Sequence, residues 1–404
     1  VRVNLLSFRG VLTQRRVGTV EGHLSCLRRL GLVLLAVCAA GLLAAGCGEE
    51  RLPPVDAGGG AGEGQQASPV LTSASPLPTL TDPAGWYIDS TGADVSAVEL
   101  STGRTVVLEH GHGWIGGVVH DGRWLAWLEG KTMAEMPPQQ LHVLDLKTGS
   151  HRVTGYGSIW NVSISHGLML WDNEVDADRG QLVITDLSTG ETRPVSPSDD
   201  SQAGGQISYP WVTWGQGGKE TTARWVNLET GESGHVAASD YGSPLLSGDW
   251  MVWCDRGSSE SSSIKALNLR TGETTRLADR GGRTEQGYDL VVGAPWAAWY
   301  DSSSNVLRAA NLETGRHVVV TEEFAEEDGL VISGPWIVWH CWRPGGLFAY
   351  DTRTGRTQRL AEDSENGPWL YGTWIVWSEA FNQEGPTGFR AHDLVSGEDL
   401  AFSF

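Results

Sequence analysis

The chain has 404 residues, 40% hydrophobic and 19% charged, which is enough apolar material for a sizeable core and too much for a disordered polymer. Lys and Arg number 29 against 49 Asp and Glu, a net charge of -20, so the basic footprint that nucleic-acid binding requires is missing. The 53 Gly announce many turns, and the 19 Trp outnumber the 8 Tyr and 7 Phe together.

The N-terminus is basic, with Arg2, Arg9, Arg15, Arg16, Arg28 and Arg29 opposed only by Glu21, and Leu30 to Ala45 carries no charge. A positive start, a short apolar stretch and small residues are the pattern of a secretory signal, and the stretch is short for a membrane-spanning helix. Ala44-Ala45-Gly46 directly before Cys47 resembles the bacterial lipobox, with Ala44 standing where Leu is commoner. That resemblance implies residues 1–47 as a lipoprotein signal ending at the lipidated Cys47; the alternative is an uncleaved membrane-anchoring helix. Both export the rest of the chain to the cell membrane or cell surface. Without residues 1–46, which hold six Arg and one acid, 23 basic and 48 acidic residues remain, a net of -25. Such a charge disfavours direct contact with anionic lipid, so the membrane is expected as a partner only through the acyl chains.

Residues 48–78 contain Pro53-Pro54 and a Gly-rich run from Gly58 to Gly64 with no apolar period, the composition of a flexible tether. The remainder, 79–404, is a repeat. Eight times an acid or Asn is followed four residues later by Gly, at Gly103, Gly149, Gly190, Gly231, Gly272, Gly315, Gly355 and Gly397. The openers are Glu99, Asp145, Asp186, Asn227, Asn268, Asn311, Asp351 and Asp393. Asp and Asn side chains fix a turn by accepting an amide two residues on, and Gly supplies the left-handed position that closes a hairpin. Alternation before each turn, as in Ile264 and Ala266 around Lys265, is the period of a strand.

Upstream lies Trp-x-x-Trp, at 124/127, 211/214, 250/253, 296/299, 336/339 and 374/377, with Trp171 alone in one copy and Trp86 in the first. Residues three apart on a strand face opposite sides, so both faces of the sheet are buried. A radial stack of sheets does this and a two-sheet sandwich does not. Four short strands in about 41 residues make one blade, so the expected fold is all-β, an eight-bladed β-propeller of four-stranded blades. The innermost strand of the first blade has to come from Pro69 to Thr81. If that segment stays loose, the alternative is seven blades with an accessory hairpin.

Trp-Ile-Val-Trp, an acidic loop, a strand and then Asp-Leu-x-Thr-Gly resemble TolB-like propeller repeats, over about residues 79–404. The resemblance implies an exported bacterial propeller of the kind that mostly serves as a protein-binding platform. Some relatives form the propeller part of prolyl-oligopeptidase-type peptidases. The BamB-like lipoproteins are also eight-bladed, but their repeats carry a Trp after the Thr-Gly that all eight copies here lack. No bound quinone is therefore expected, and no cofactor of any kind.

Asp89, Glu129, Asp172, Asp255, Asp301 and Glu379 follow the Trp positions, where they would ring one face and attract a cation or a basic partner, or else cap their own loops. His340-Cys341-Trp342-Arg343 breaks the repeat; an unpaired Trp beside Arg has the composition of a binding hot spot, and local packing is the alternative. His110, His112 and His120 lie between the first two copies, near Glu109 and Asp121. They offer a lesser metal reading against that of exposed turn histidines, and no metal site is expected. Cys254 and Cys341 are expected as separate buried thiols. No nucleophile elbow or phosphate loop is present. The expected function is a monomeric, lipid-anchored protein-binding platform in the cell envelope, its partner an envelope protein. The alternative is a solute or glycan binder, or a hydrolase or lyase, using the central channel.

Overall fold

The repeat turn organises the architecture. In a computed structural model, residues 77–403 are described except 81–84, 92–93, 112, 131–138, 177–178, 197–200, 218–220, 239–242, 257–260, 282–289, 302–303, 323–328, 342–344, 363–365 and 383–384. All eight repeat glycines take φ of 70–80°, a region that residues with a Cβ rarely enter. Their amides donate to the carbonyl of the turn-opening residue at 2.7–2.9 Å. In seven copies the opener's side chain accepts the amide two residues on, at 2.8–3.1 Å. Glu99 of the first copy instead takes the Thr102 hydroxyl at 2.7 Å. The residue after each opener donates to the carbonyl just before the first Trp position, as Leu146 does to Arg123 at 2.8 Å. Each hairpin turn is thereby locked to its neighbour.

Eight antiparallel sheets result, spanning 86–110, 114–157, 159–194, 202–237, 245–281, 290–321, 330–361 and 366–402 (blades 1 to 8). Blades 2 to 8 have four strands in chain order from inner to outer edge. Among the described residues blade 1 shows three, Trp86–Thr91, Asp94–Glu99 and Thr105–His110.

The core is a set of eight seams between successive blades. Trp124 packs toward blade 3, in a cluster with Ile159 and Trp171, while Trp127 packs toward blade 1 with Ile88 and Leu108. Trp296 and Trp299 divide in the same way between the 6/7 and 5/6 seams. Indoles three apart on a strand therefore serve opposite neighbours, as the spacing demands. The last seam joins blade 8 to blade 1 through Tyr87, Leu100, Val376 and Phe389, with Trp369, Tyr371 and Phe402 against them. Eight sheets with eight such clusters form an eight-bladed β-propeller, and the seven-blade alternative is set aside. Cys254 and Cys341 are buried thiols outside any disulfide, in the 5/6 and 6/7 seams.

The first blade differs from expectation. Residues 77–80, assigned above to its inner strand, bond to blade 2 instead: the Leu77 amide donates to Gly149 and the Leu80 amide to Leu146, both at 2.9 Å. Leu80 is 6% exposed in the 1/2 seam, and that burial draws the segment there. A Cβ on Gly149 would lie 2.2 Å from the Leu77 carbonyl oxygen, so this glycine is needed for the close approach as well as for its φ.

Candidate functional site

Antiparallel register sets what the singled-out acids meet. The second Trp of a pair faces the residue seven before the turn glycine: Trp253 opposite Lys265, Trp299 opposite Arg308 and Trp127 opposite His142. The acid two residues on reaches that same side chain. Asp255 pairs with Lys265, and Asp301 accepts Arg308 Nε at 3.0 Å and the Ser304 hydroxyl at 2.7 Å. Glu129 Oε2 lies 3.3 Å from His142 Nε2. Glu379 sits on the strand Trp374–Asn382. Asp172 is 3% exposed and its Oδ2 accepts the Gly204 amide at 3.0 Å, tying blade 3 to the inner strand of blade 4. Burial pushes this carboxyl up to about 7, against the amides of Gly204 and Gly205 that favour its charge.

Asp89 belongs to a different position. Trp86 is opposite Glu99, the place of a first Trp, so Asp89 stands where other blades carry the second indole. It faces blade 8 with Tyr87, whose hydroxyl donates to it, and it accepts the Ser90 amide at 2.7 Å. Burial raises its pKa against both hydrogen bonds.

Of the predicted histidines, His110 ends the outer strand of blade 1 and bonds Asp94 at 3.0 Å. His120 ends the inner strand of blade 2 and stacks on Tyr371, centroids 5.9 Å apart. The two occupy opposite edges of their sheets, and His112 lies outside the described residues. Among the described residues, no group of three or more His, Cys, Asp or Glu is placed to hold a metal ion. His340 is buried in the strand Trp336–Cys341. Cys47, Trp342 and Arg343 lie outside the described residues.

A second constellation was not anticipated. Trp127, His142 and His151 lie in a triangle of nearly parallel rings, each pair of centroids 5.1–5.2 Å apart. His142 Nδ1 is 3.0 Å from His151 Nε2, and His151 Nδ1 is 3.5 Å from Glu109 Oε2 on blade 1. The order is Glu129, His142, His151, Glu109, with three gaps that each accommodate one proton. Two neutral imidazoles supply two N–H groups, so one gap stays without a proton. His142 Nε2 is indeed buried without a hydrogen-bond partner. Burial lowers the pKa of both histidines to about 4, and for His151 the neighbouring His142 adds to this. The row can take up a further proton in acid. It was legible in principle: the position that carries Arg or Lys in four other copies is His142 here.

No protein-family model matches the chain, and no curated protein matches it. Solved structures do. A computationally designed protein, Ika8, is 14% identical, with a TM-score of 0.52 over 82% of this chain and 97% of its own. The dihydro-heme d1 dehydrogenase NirN is 13% identical, with a TM-score of 0.56 over 82% of this chain and 76% of its own. TolB from Acinetobacter baumannii is 14% identical, with a TM-score of 0.37 over 60% of this chain and 64% of its own. At such identities the likeness concerns the fold alone, and the protein is a β-propeller.

Proposed function

We propose that the protein is an exported, lipid-anchored propeller that binds an envelope protein through one face of the ring. The observation that carries this reading is the asymmetry of the two faces. One face repeats the same pair of interlocked turns eight times. Toward the opposite face the strand that carries the Trp positions ends and the next begins, and the interval between them varies from Thr91 to Asp94 in blade 1 to Gly130 to Gln139 in blade 2. A surface that repeats serves the fold, whereas connections that vary in length and sequence on a rigid scaffold are where recognition is placed. Trp342 and Arg343 fall in one of them, and the net charge of -25 without residues 1–46 favours a basic partner. Cys47 would hold the lipid, and the Gly-rich stretch up to about Ser75 would hold the ring off the bilayer.

The test is site-specific photocrosslinking in the producing cell. A crosslinker at Trp342 or within 131–138 is expected to trap a defined partner, and one at Glu313 on the repeated-turn face is not. Equal trapping from both faces, or none from the variable one, contradicts the reading.

A further inference from the structure

Blade 2 departs from the repeat at two more positions, and both departures line one cavity. The residue before the first Trp is Arg123, where the other blades have Gly85, Gly167, Pro210, Asp249, Pro295, Pro335 and Thr373. The residue three after the turn glycine is Arg152, a position that is otherwise cationic only at Arg193. The guanidinium carbons of Arg123 and Arg152 lie 4.8 and 5.7 Å from the ring centroid of Trp124. Beside them is a cavity of about 230 Å³, lined also by Asp145, Thr148, Ser150 and, from blade 3, Ser188.

The two arginines differ in one respect. Arg123 is answered by Asp145 at 2.9 Å. Arg152 Nη2 donates to the Leu187 carbonyl at 2.5 Å, but no carboxylate among the described residues pairs with it, and its Nε is buried without a partner. Burial lowers its pKa, the mark of a cation short of compensating charge, and Asp186 and Asp145 answer it only at longer range. The Ser188 hydroxyl already donates to Asp186 at 2.6 Å and Thr148 bonds Asp145, so the Arg152 cation beside the Ser150 hydroxyl is the part of the lining that can receive a planar carboxylate.

We infer that the cavity between blades 2 and 3 is a binding site for a small monocarboxylate, held by Arg152 with Ser150. One uncompensated positive charge suits a monoanion. A phosphate dianion would bring a second charge close to Asp145 and Asp186. The volume is below the usual range for drug-sized ligands and fits a small acid or the terminal residue of a peptide. The site is on the repeated-turn face, so it stands or falls independently of the partner-binding face proposed above.

The test is thermal unfolding of the full chain in sodium acetate against sodium chloride at matched ionic strength. Acetate at tens of millimolar should raise the Tm of the wild type by about 2 °C, and phosphate by less. Arg152→Met should abolish the shift. So should Ser188→Leu, which fills the cavity from a turn position that accepts Lys147, Glu229 and Val395 in other blades and therefore leaves folding intact. Arg193→Met should keep it. A trialanine that protects as the free acid but not as the C-terminal amide, and at lower concentration than acetate, would assign the site to a chain terminus. Protection by acetate alone would assign it to a free acid. An acetate shift that survives in Ser188→Leu, no shift in the wild type, or a phosphate shift as large as that of acetate would overturn the proposal.

Discussion

The 1/2 and 5/6 seams use the same side-chain positions for different electrostatics. In the 5/6 seam Trp299 is backed by Arg308 and an edge-on His317, and Arg308 is held at 3.0 Å by Asp301. That pair is half open to water, with side chains 39% and 22% exposed. In the 1/2 seam Trp127 is backed by His142 and His151, 8% and 12% exposed, with a carboxylate at either end. Identical backbone register thus builds a part-exposed ion pair in one seam and a titratable, mostly neutral row in the other. The difference shows that the repeat prescribes where side chains meet and leaves their chemistry free.

The largest expected effect falls on what the two seams share. Trp127→Ala and Trp299→Ala should each cost roughly 3–5 kcal/mol in chemical denaturation, because each removes a fully buried indole. A cost below about 1 kcal/mol for either would break the equivalence.

A carboxyl buried without a cation sharpens the comparison from outside both seams. Asp172 is raised from 3.8 to about 7 in the fold, so the native state holds its proton more tightly and stability falls as pH rises through that window. Asp172→Asn should match the wild type near pH 4 and be more stable at pH 8, by roughly 2–4 kcal/mol. Equal stability at pH 8 would mean that the carboxylate is compensated there.

The histidine row has the opposite sign. Both imidazoles are lowered from 6.5 to about 4, so their contribution is complete above pH 6.5 and is lost as pH falls toward 4. The loss should be roughly 2–3 kcal/mol, and His142→Phe, which copies the stacked Trp339 and Phe348 of blade 7, should at least halve it. An undiminished loss would place the acid sensitivity elsewhere. The smallest effect belongs to the exposed pair: Arg308→Met should cost no more than about 1 kcal/mol and fade in high salt.

The fold was legible because its two determinants are local. Asp145 to Gly149 specifies a turn through neighbouring atoms, and the spacing of Trp124 and Trp127 specifies which blade each indole meets. The site residues were less so. The pairing of Asp301 with Arg308 and of Glu129 with His142 follows from hairpin register, which emerges only when strands are laid side by side. Glu109 meets His151 across a seam, 42 positions along the chain, and no local pattern announces it. Residues 77–80 turn from the expected inner edge of blade 1 because burial of Leu80 against blade 2 outweighs the continuity of the repeat.

Native-state hydrogen exchange bears most directly on the claim that eight blades close a ring through seams of buried rings. Amides of the strand Trp86–Thr91, at the 8/1 closure, should exchange only through global unfolding, with the same free energy as those of Trp250–Arg256 in blade 5. Exchange of the first strand through a separate low-energy opening, with blade 5 still protected, would show that the aromatic contact of blade 8 with blade 1 does not close the ring.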